Sequence, residues 1–165
     1  MKTRTILSIA FVAVIIAACN KTEKVISEEQ GVTEVAETNE ALKAVISGYF
    51  DVKNALVNDD AAKAKEAAAA LVASTGDYAA KLNESLNTIA STDDIEAQRV
   101  AFETLSINMY EVAREGGAGM TIYKQYCPMA FDDKGAFWLS SEKQVLNPYF
   151  GASMLRCGSV KETIN

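Results

Sequence analysis

Residues 95–112, IEAQRVAFETLSINMYEV, carry the most regular pattern in the chain. Apolar side chains and one amide recur there at alternating spacings of three and four residues: Ile95, Gln98, Phe102, Leu105, Met109 and Val112. Side chains at this spacing share one face of an α-helix, and such a face packs against other helices. Because Ser91–Asp94 offers N-cap residues and Gly116-Gly117 a terminator, the stretch predicts one long helix of a bundle.

Three segments before this helix also have helical periodicity. The first carries the stripe Leu42, Val45, Ile46, Tyr49, Val52 and Leu56, and the third carries Tyr78, Leu82, Leu86 and Ile89. The second, residues 61–73, is rich in alanine, the residue of highest helix propensity, and Asn58-Asp59-Asp60 offers its N-cap. Because short connections make neighbouring helices antiparallel, residues 38–117 are predicted to form an up-down bundle of about four helices.

The composition changes after Gly119. Residues 120–165 hold both prolines, the only tryptophan and three of the five methionines. Residues 121–123 and 136–139 are predicted strands joined by the turn at 132–135, and residues 160–164 are a predicted last strand. We therefore expect a mainly α fold in which a small irregular β-containing module, residues 118–165, completes a single domain that begins at residue 38.

The N-terminus has the features of a secretory signal. A basic start with Lys2 and Arg4 precedes an apolar run, from Ile6 to Ala18, that is shorter than the about 20 residues of a membrane span. The run ends in Ile16-Ala17-Ala18-Cys19, which resembles the lipobox of bacterial lipoproteins, where the chain is cut before a lipidated cysteine. Residues 1–18 are thus predicted to be a lipoprotein signal peptide and Cys19 the lipidation site. An ordinary signal peptide with a coincidental cysteine is the alternative.

Residues 19–37 are predicted to be a lipidated flexible tether, because this polar segment has too little apolar surface to offset its ordering entropy. Removing residues 1–18 takes away two basic residues and no acidic one, so the formal net charge falls from −6 to −8. An acidic surface disfavours nucleic acid, and membrane attachment then rests on the acyl chains. Asn20 differs from the aspartate that commonly retains lipoproteins in the inner membrane, so we expect an outer-membrane anchor facing the periplasm.

Two short stretches of the module pair a thiol with a thioether. Cys127 is two residues from Met129, and Met154 is three residues from Cys157. Thiolates and thioethers are soft ligands suited to Cu(I) or Ag(I), so the four side chains are a candidate metal site if the two stretches meet. Met109 and Met120 are weaker candidates for an outer ligand.

A disulfide is the competing interpretation of the same cysteines. Once Cys19 is lipidated, Cys127 and Cys157 are the two that remain, and an oxidising compartment favours their pairing. A bridged module would then act by binding a partner protein, with Trp138, Tyr149 and Phe150 as the first surface anchors to consider. Residue chemistry alone favours the disulfide, and both interpretations stay open.

Four blocks of the module resemble one uncharacterised bacterial family. They are YCPMA at 126–130, GAFWLS at 135–140, NPYFG at 147–151 and MLRCG at 154–158, and DIEAQR at 94–99 resembles its helical half. The resemblance runs from about Leu42 to the C-terminus. Members occur as lipoproteins, as small periplasmic proteins, and as C-terminal domains of periplasmic adaptors in copper and silver efflux pumps of the resistance-nodulation-division type.

The resemblance implies handling of heavy metal, chiefly copper, beside an efflux system or another envelope protein. The matching ligand positions are Cys127, Met129, Met154 and Cys157. Members often carry histidines in the helical half, whereas this chain has none. A site built on imidazole is therefore excluded, and a Cu(I) site of sulfur ligands, helped by Asp132 or Asp133, is what remains.

The sequence gives little support to catalysis. Without histidine there is no Ser-His-Asp or Cys-His arrangement, and no Cys-x-x-Cys motif of a thiol oxidoreductase is present. Gly116-Gly117 follows a helix, whereas a phosphate-binding glycine loop precedes one. We therefore expect a binding protein and not an enzyme.

Overall fold

The computed structural model describes the backbone of residues 23–165 and the side chains from residue 40 onward. The predicted signal peptide and Cys19 lie outside the described residues. The four long helices are α1 (Glu23–Val57), α2 (Ala61–Val72), α3 (Ala79–Ala90) and α4 (Ile95–Gly116), and the three strands are β1 (Ile122–Cys127), β2 (Ala136–Ser140) and β3 (Ser159–Ile164). The predicted fold class, a helical bundle followed by a small β-containing module, is confirmed.

The bundle is held together by the apolar stripes that the periodicity predicts. In α4 every residue of the predicted seam is buried except Ile95, which is half-buried. The alanine-rich α2 buries Ala64, Ala68 and Leu71, so its small side chains meet the neighbouring helices. The predicted helix ends are also present. Asp60 caps α2 by accepting a hydrogen bond from the Lys63 amide at 3.0 Å, and Gly117 ends α4 with φ of 63°.

Helix α1 begins earlier than the sequence predicts. It starts at Glu23, so residues 23–37 of the predicted flexible tether have helical backbone. The segment has little apolar surface to bury, but residues such as Glu, Lys and Ala have good intrinsic helix propensity. Extending an existing helix also avoids the cost of nucleating a new one. The role of this segment as a tether stays a prediction.

The module is a three-stranded antiparallel sheet in the order β2-β1-β3. Strand β1 pairs with β2 from Tyr123↔Ser140 to Cys127↔Ala136, and with β3 from Ile122↔Ile164 to Tyr126↔Ser159. A short turn, Ala130–Asp133, joins β1 to β2, and one turn of 3₁₀ helix, Gly151–Met154, precedes β3. The three predicted strands are therefore present.

The bundle and the sheet share one hydrophobic core. The Tyr49 hydroxyl accepts a hydrogen bond from the Leu139 amide at 3.0 Å and lies 2.8 Å from the Ser106 hydroxyl. The ring of Tyr49 stacks on Phe102 with centroids 5.1 Å apart, and Phe102 in turn contacts Tyr149 of the module at 5.9 Å. None of the described helices is long and apolar enough to cross a membrane.

Candidate functional site

The two cysteines of the module lie side by side. Cys127 ends β1 and Cys157 precedes β3, and the pairing of Tyr126 with Ser159 brings them together. Their Sγ atoms are 2.9 Å apart, and both are free thiols. This spacing exceeds the about 2.05 Å of a disulfide and is less than the about 3.8 Å between two sulfurs that share a tetrahedral metal. If the two sulfurs moved about 1 Å closer they would have the spacing of a disulfide, and if they moved about 1 Å apart they would have the spacing of a shared metal ion.

The Cys157 thiol holds its proton tightly. The hydrogen bond with Cys127, the partial burial of the thiol and the nearby Cys127 charge together raise the pKa of Cys157 to about 11. Cys127 is fully buried, whereas Cys157 is half-buried at the edge of the sheet. A metal that binds here must displace protons, so its affinity must rise with pH.

The two predicted thioether ligands lie in a pocket beside the thiols. Met129 and Met154 both line an open cavity of about 540 Å³, which Cys127 and Cys157 do not line. A turn links Met154 to Cys157, since the Cys157 amide donates to the Met154 carbonyl at 3.0 Å. The structure thus brings the thiols into contact and the thioethers into one pocket. Among the described residues, no three His, Cys, Asp or Glu side chains converge closely enough to hold a metal ion.

The weaker methionine candidates are elsewhere. Met109 is fully buried in the bundle core and lies outside the pocket, and Met120 is half-buried against the same core. Two of the predicted surface anchors, Trp138 and Tyr149, are buried as well, and Phe150 is half-buried in the pocket. The buried rings of Trp138 and Tyr149 therefore pack in the core, because a side chain must be accessible to contact a partner protein.

One wall of the pocket is a left-handed turn of three consecutive residues. Phe131, Asp132 and Asp133 have φ values of 53°, 55° and 62°. Each left-handed residue that is not glycine costs about 1–2 kcal/mol, less for aspartate, so such a run is unusual. The Phe131 ring packs edge-on against Tyr149 at 5.1 Å, which holds the turn in place. Asp132 and Asp133, predicted to help a metal site, line the pocket with the methionines and not with the thiols.

Gly135 ends this turn for a steric reason. Its φ is 77°, and a Cβ atom at this position would overlap the Tyr126 hydroxyl. Strained backbone of this kind persists only where the surrounding packing fixes it, and it clusters at functional sites.

Arg99 forms the floor of the pocket, and the sequence interpretation missed it. This buried side chain donates through Nε to the Pro148 carbonyl at 3.0 Å and through Nη2 to Asp59 Oδ1 at 2.6 Å. It also pairs with Glu96 one helical turn away. The sequence signal that could have identified Arg99 is its position next to Gln98 of the buried α4 seam, because a guanidinium placed there needs several fixed acceptors.

Asp59 connects the α1–α2 loop to the module. Its Oδ2 atom accepts a hydrogen bond from the Ala152 amide at 2.9 Å. That amide, together with the hydrogen bond and positive charge of Arg99, holds the pKa of Asp59 below its usual value. The φ of Gly151 is 52°, and a Cβ atom there would overlap the Asp59 carboxylate. Asp59 and Arg99 therefore fix the segment that carries Met154.

Lys53 is a second buried charge that the sequence does not reveal. Its side chain is only 2% exposed, and Nζ lies 3.5 Å from the Ser140 hydroxyl. Burial lowers the pKa of Lys53, and the negative charge of Glu142 opposes that shift. Lys53 lies at the joint between α1 and β2, away from the pocket.

Comparison with known proteins finds a family model that matches part of the chain. The model of a family described as a protein of unknown function, DUF3347, matches residues 45–121. This span runs from the second half of α1 to the start of the module, so the bundle resembles an uncharacterised family. The four sequence blocks around the cysteines and methionines lie beyond the matched span. No curated protein and no solved structure matches the chain.

Proposed function

We propose that this chain is an exported lipoprotein, anchored in the cell envelope through Cys19, that binds Cu(I) through sulfur ligands in association with heavy-metal efflux. The observation that carries the proposal is the 2.9 Å contact between the Sγ atoms of Cys127 and Cys157. Two thiols already in contact can chelate one soft ion after a small separation, and each has a methionine within three residues of it in the sequence.

The two thiols differ in their backbone setting in a way that suits this separation. Cys127 is the last residue of β1 and is fully buried, so the sheet holds it in place. Cys157 precedes β3 and follows a turn, outside the regular strand. A displacement of about 1 Å at Cys157 alone gives the sulfur spacing of a shared metal ion. The absence of histidine from the whole chain directs the proposal to Cu(I) and away from Cu(II) or Zn(II).

The proposed location rests on the N-terminal sequence. The apolar run that ends at Cys19 supports export and lipidation, and Asn20 supports an outer-membrane anchor facing the periplasm. Efflux-associated copper handling rests on the resemblance of the four sequence blocks. The match over residues 45–121 supports membership of an uncharacterised family and goes no further.

The thiol site is tested by competition for copper. Reduced protein is titrated with Cu(I) against a chromogenic Cu(I) chelator, using wild type, Cys127→Ser/Cys157→Ser and Met109→Leu. We expect about one tightly bound Cu(I) per chain for wild type and for Met109→Leu, whose sulfur is in the bundle core. The double serine variant should lose at least about tenfold in affinity, because its ligands are no longer thiolates. Equal competition by the serine variant would overturn the thiol site.

The anchor is tested separately with Cys19→Ala. Wild-type protein should incorporate a labelled fatty acid and sediment with membranes, whereas Cys19→Ala should do neither. Labelling that persists in the variant would contradict lipidation at Cys19.

A second candidate function is a protein-interaction lipoprotein stapled by a Cys127–Cys157 disulfide. The same short contact supports it, since two thiols this close pair readily in an oxidising compartment. A bridge that closes a loop of about 30 residues stabilises the fold by about 3–4 kcal/mol in the chain-entropy model. Mass spectrometry of non-reduced protein from the envelope decides between them: a mass lower by two hydrogen atoms indicates the bridge, and free thiols contradict it.

A further inference from the structure

The predicted ligands divide into two places, a buried thiol pair and an open pocket that holds both thioethers. We propose that the pocket of Met129 and Met154 is a separate receiving site for a soft monovalent cation, Cu(I) or Ag(I). The ion then passes to Cys127 and Cys157. This inference rests on the proposed function only for that second step, because the receiving site itself needs no thiol.

The first support is the exposure of Met129. Its side chain is 45% exposed, one of three large hydrophobic residues that are exposed among the described side chains. Methionine is ordinarily among the more buried residues, as Met109 is here. Met154 is half-buried and lines the same cavity. Two thioether side chains thus line one cavity that is open to solvent and to a dissolved ion.

The second support is the charge of the pocket. The guanidinium of Arg99 is already paired with the carboxylates of Asp59 and Glu96. Asp132 and Asp133 line the pocket, and within residues 40–165 neither is in an ion pair. The uncompensated charge is therefore negative, which attracts cations and repels anions. The thioethers then select a soft cation over Na⁺ or Mg²⁺, which prefer oxygen ligands alone.

The third support is that both methionines are positioned by fixed backbone. Met129 immediately precedes the turn that the contact of Phe131 with Tyr149 holds in its left-handed conformation. Met154 ends the 3₁₀ turn that Asp59 binds through the Ala152 amide. A site on rigid elements loses little conformational entropy when the ion binds.

The thiols are within a short step of the pocket. The Cα atoms of Met129 and Cys127 are at most about 7 Å apart, since the two residues are only two positions apart in the chain. Met154 and Cys157 are joined by a turn. Transfer exchanges a neutral thioether for a thiolate at the metal, and each thiol releases its proton to solvent. The ion keeps its oxidation state, so the step needs no electron donor or acceptor.

The test uses Ag(I), as silver nitrate in chloride-free buffer, and the full mature chain with Cys127→Ser/Cys157→Ser. Methionine methyl groups labelled with ¹³C report each thioether separately by NMR. We expect the signals of Met129 and Met154 to shift together and to saturate at one Ag(I) per chain. The buried Met109 and the half-buried Met120 are internal controls whose signals should not move. The receiving site is overturned if Met129 and Met154 do not shift, or if all four methionines shift alike.

A second measurement separates this inference from the proposed function. In the reduced chain that keeps both cysteines, Met129→Leu/Met154→Leu should slow the transfer of one equivalent of Ag(I) to the thiols at least about tenfold, while the thiols still bind that whole equivalent at equilibrium. If the serine variant keeps its methionine site but wild-type thiols add no tighter site, the receiving site stands and the proposed thiol site fails. If wild type binds one ion but the serine variant binds none, the four sulfurs form one site and the receiving site fails.

Discussion

The bundle and the C-terminal module reach their structures by different means. Residues 38–117 are organised by repeated apolar stripes, in which many similar apolar side chains each contribute part of the stability. Residues 118–165 depend on single contacts, such as Arg99 with Pro148, and on backbone that only a few residues tolerate. Cores accept substitutions that preserve volume and pattern, whereas a strained turn or a buried charge accepts few. We therefore expect the loss of stability on substitution to vary gradually with burial in the bundle and to depend sharply on position in the module.

The largest expected effect comes from the residue that joins the two regions. Phe102→Ala should destabilise the protein by about 3–5 kcal/mol, because it removes a fully buried ring between Tyr49 and Tyr149. Urea unfolding is followed by circular dichroism for the bundle and by fluorescence of Trp138, the only tryptophan, for the module. Both signals should shift together. A module transition that stays at the wild-type midpoint would show that the two regions fold independently.

A smaller effect is expected at Gly151, which has a matched control in Gly76. Both have φ of 52°, but a Cβ atom would overlap Asp59 at residue 151 and meet nothing within 4 Å at residue 76. Gly76→Ala should cost about 1–2 kcal/mol from backbone strain. Gly151→Ala should cost about 2–4 kcal/mol, because the Asp59 contact is also displaced. Equal losses in thermal or urea unfolding would show that this contact adds nothing.

The left-handed turn gives an effect of opposite sign. Asp132→Gly should stabilise the protein by at most about 1 kcal/mol, because the relief of strain at φ of 55° is partly offset by the greater freedom of glycine in the unfolded chain. Lys134→Gly, two residues later at φ of −69°, should destabilise it by about 0.5–1 kcal/mol. A loss of stability in Asp132→Gly, measured by urea unfolding, would mean that the aspartate side chain stabilises the turn by more than the strain.

The smallest expected effect is the pH dependence of Asp59. Because its pKa is depressed in the folded protein, the stability that it contributes is present above the unfolded value of 3.8 and is lost as the pH falls through the folded pKa. The side chain is 43% exposed, so the change should be less than about 1 kcal/mol. Urea unfolding at pH 6 and pH 3 should reveal a smaller difference for Asp59→Asn than for wild type. An identical difference would show that Asp59 does not contribute.

The bundle could be predicted from the sequence because its information is local. The spacing from Gln98 to Val112 specifies which face of α4 is buried, and Gly116-Gly117 specifies where the helix ends. Lys53 is the exception, since the stripe of α1 gives no reason to bury it. It is buried because β2 lies against that side of α1, and the hydroxyl of Ser140 is its acceptor.

The pocket could be predicted only in part, because its contacts join distant residues. The thiol and thioether pairs were visible as short motifs, but the register of β1 against β3 decides that the thiols touch. Arg99 and Asp59 are 40 residues apart in sequence, and nothing in the residues around either one predicts that they pair. The sequence around Asp132 predicts a turn, but its left-handed form depends on packing against Tyr149.

The outer edge of β2 limits how the module can bind another protein. The Leu139 amide donates to the Tyr49 hydroxyl, and the Phe137 carbonyl accepts from the Tyr149 hydroxyl at 2.6 Å. Two tyrosines therefore occupy the backbone groups that an added strand would need. On the opposite edge, β3 carries Lys161 and Glu162, charged residues of the kind that protects exposed strands. A partner that extends this sheet by strand addition is disfavoured at both edges, so recognition of the module must use side chains.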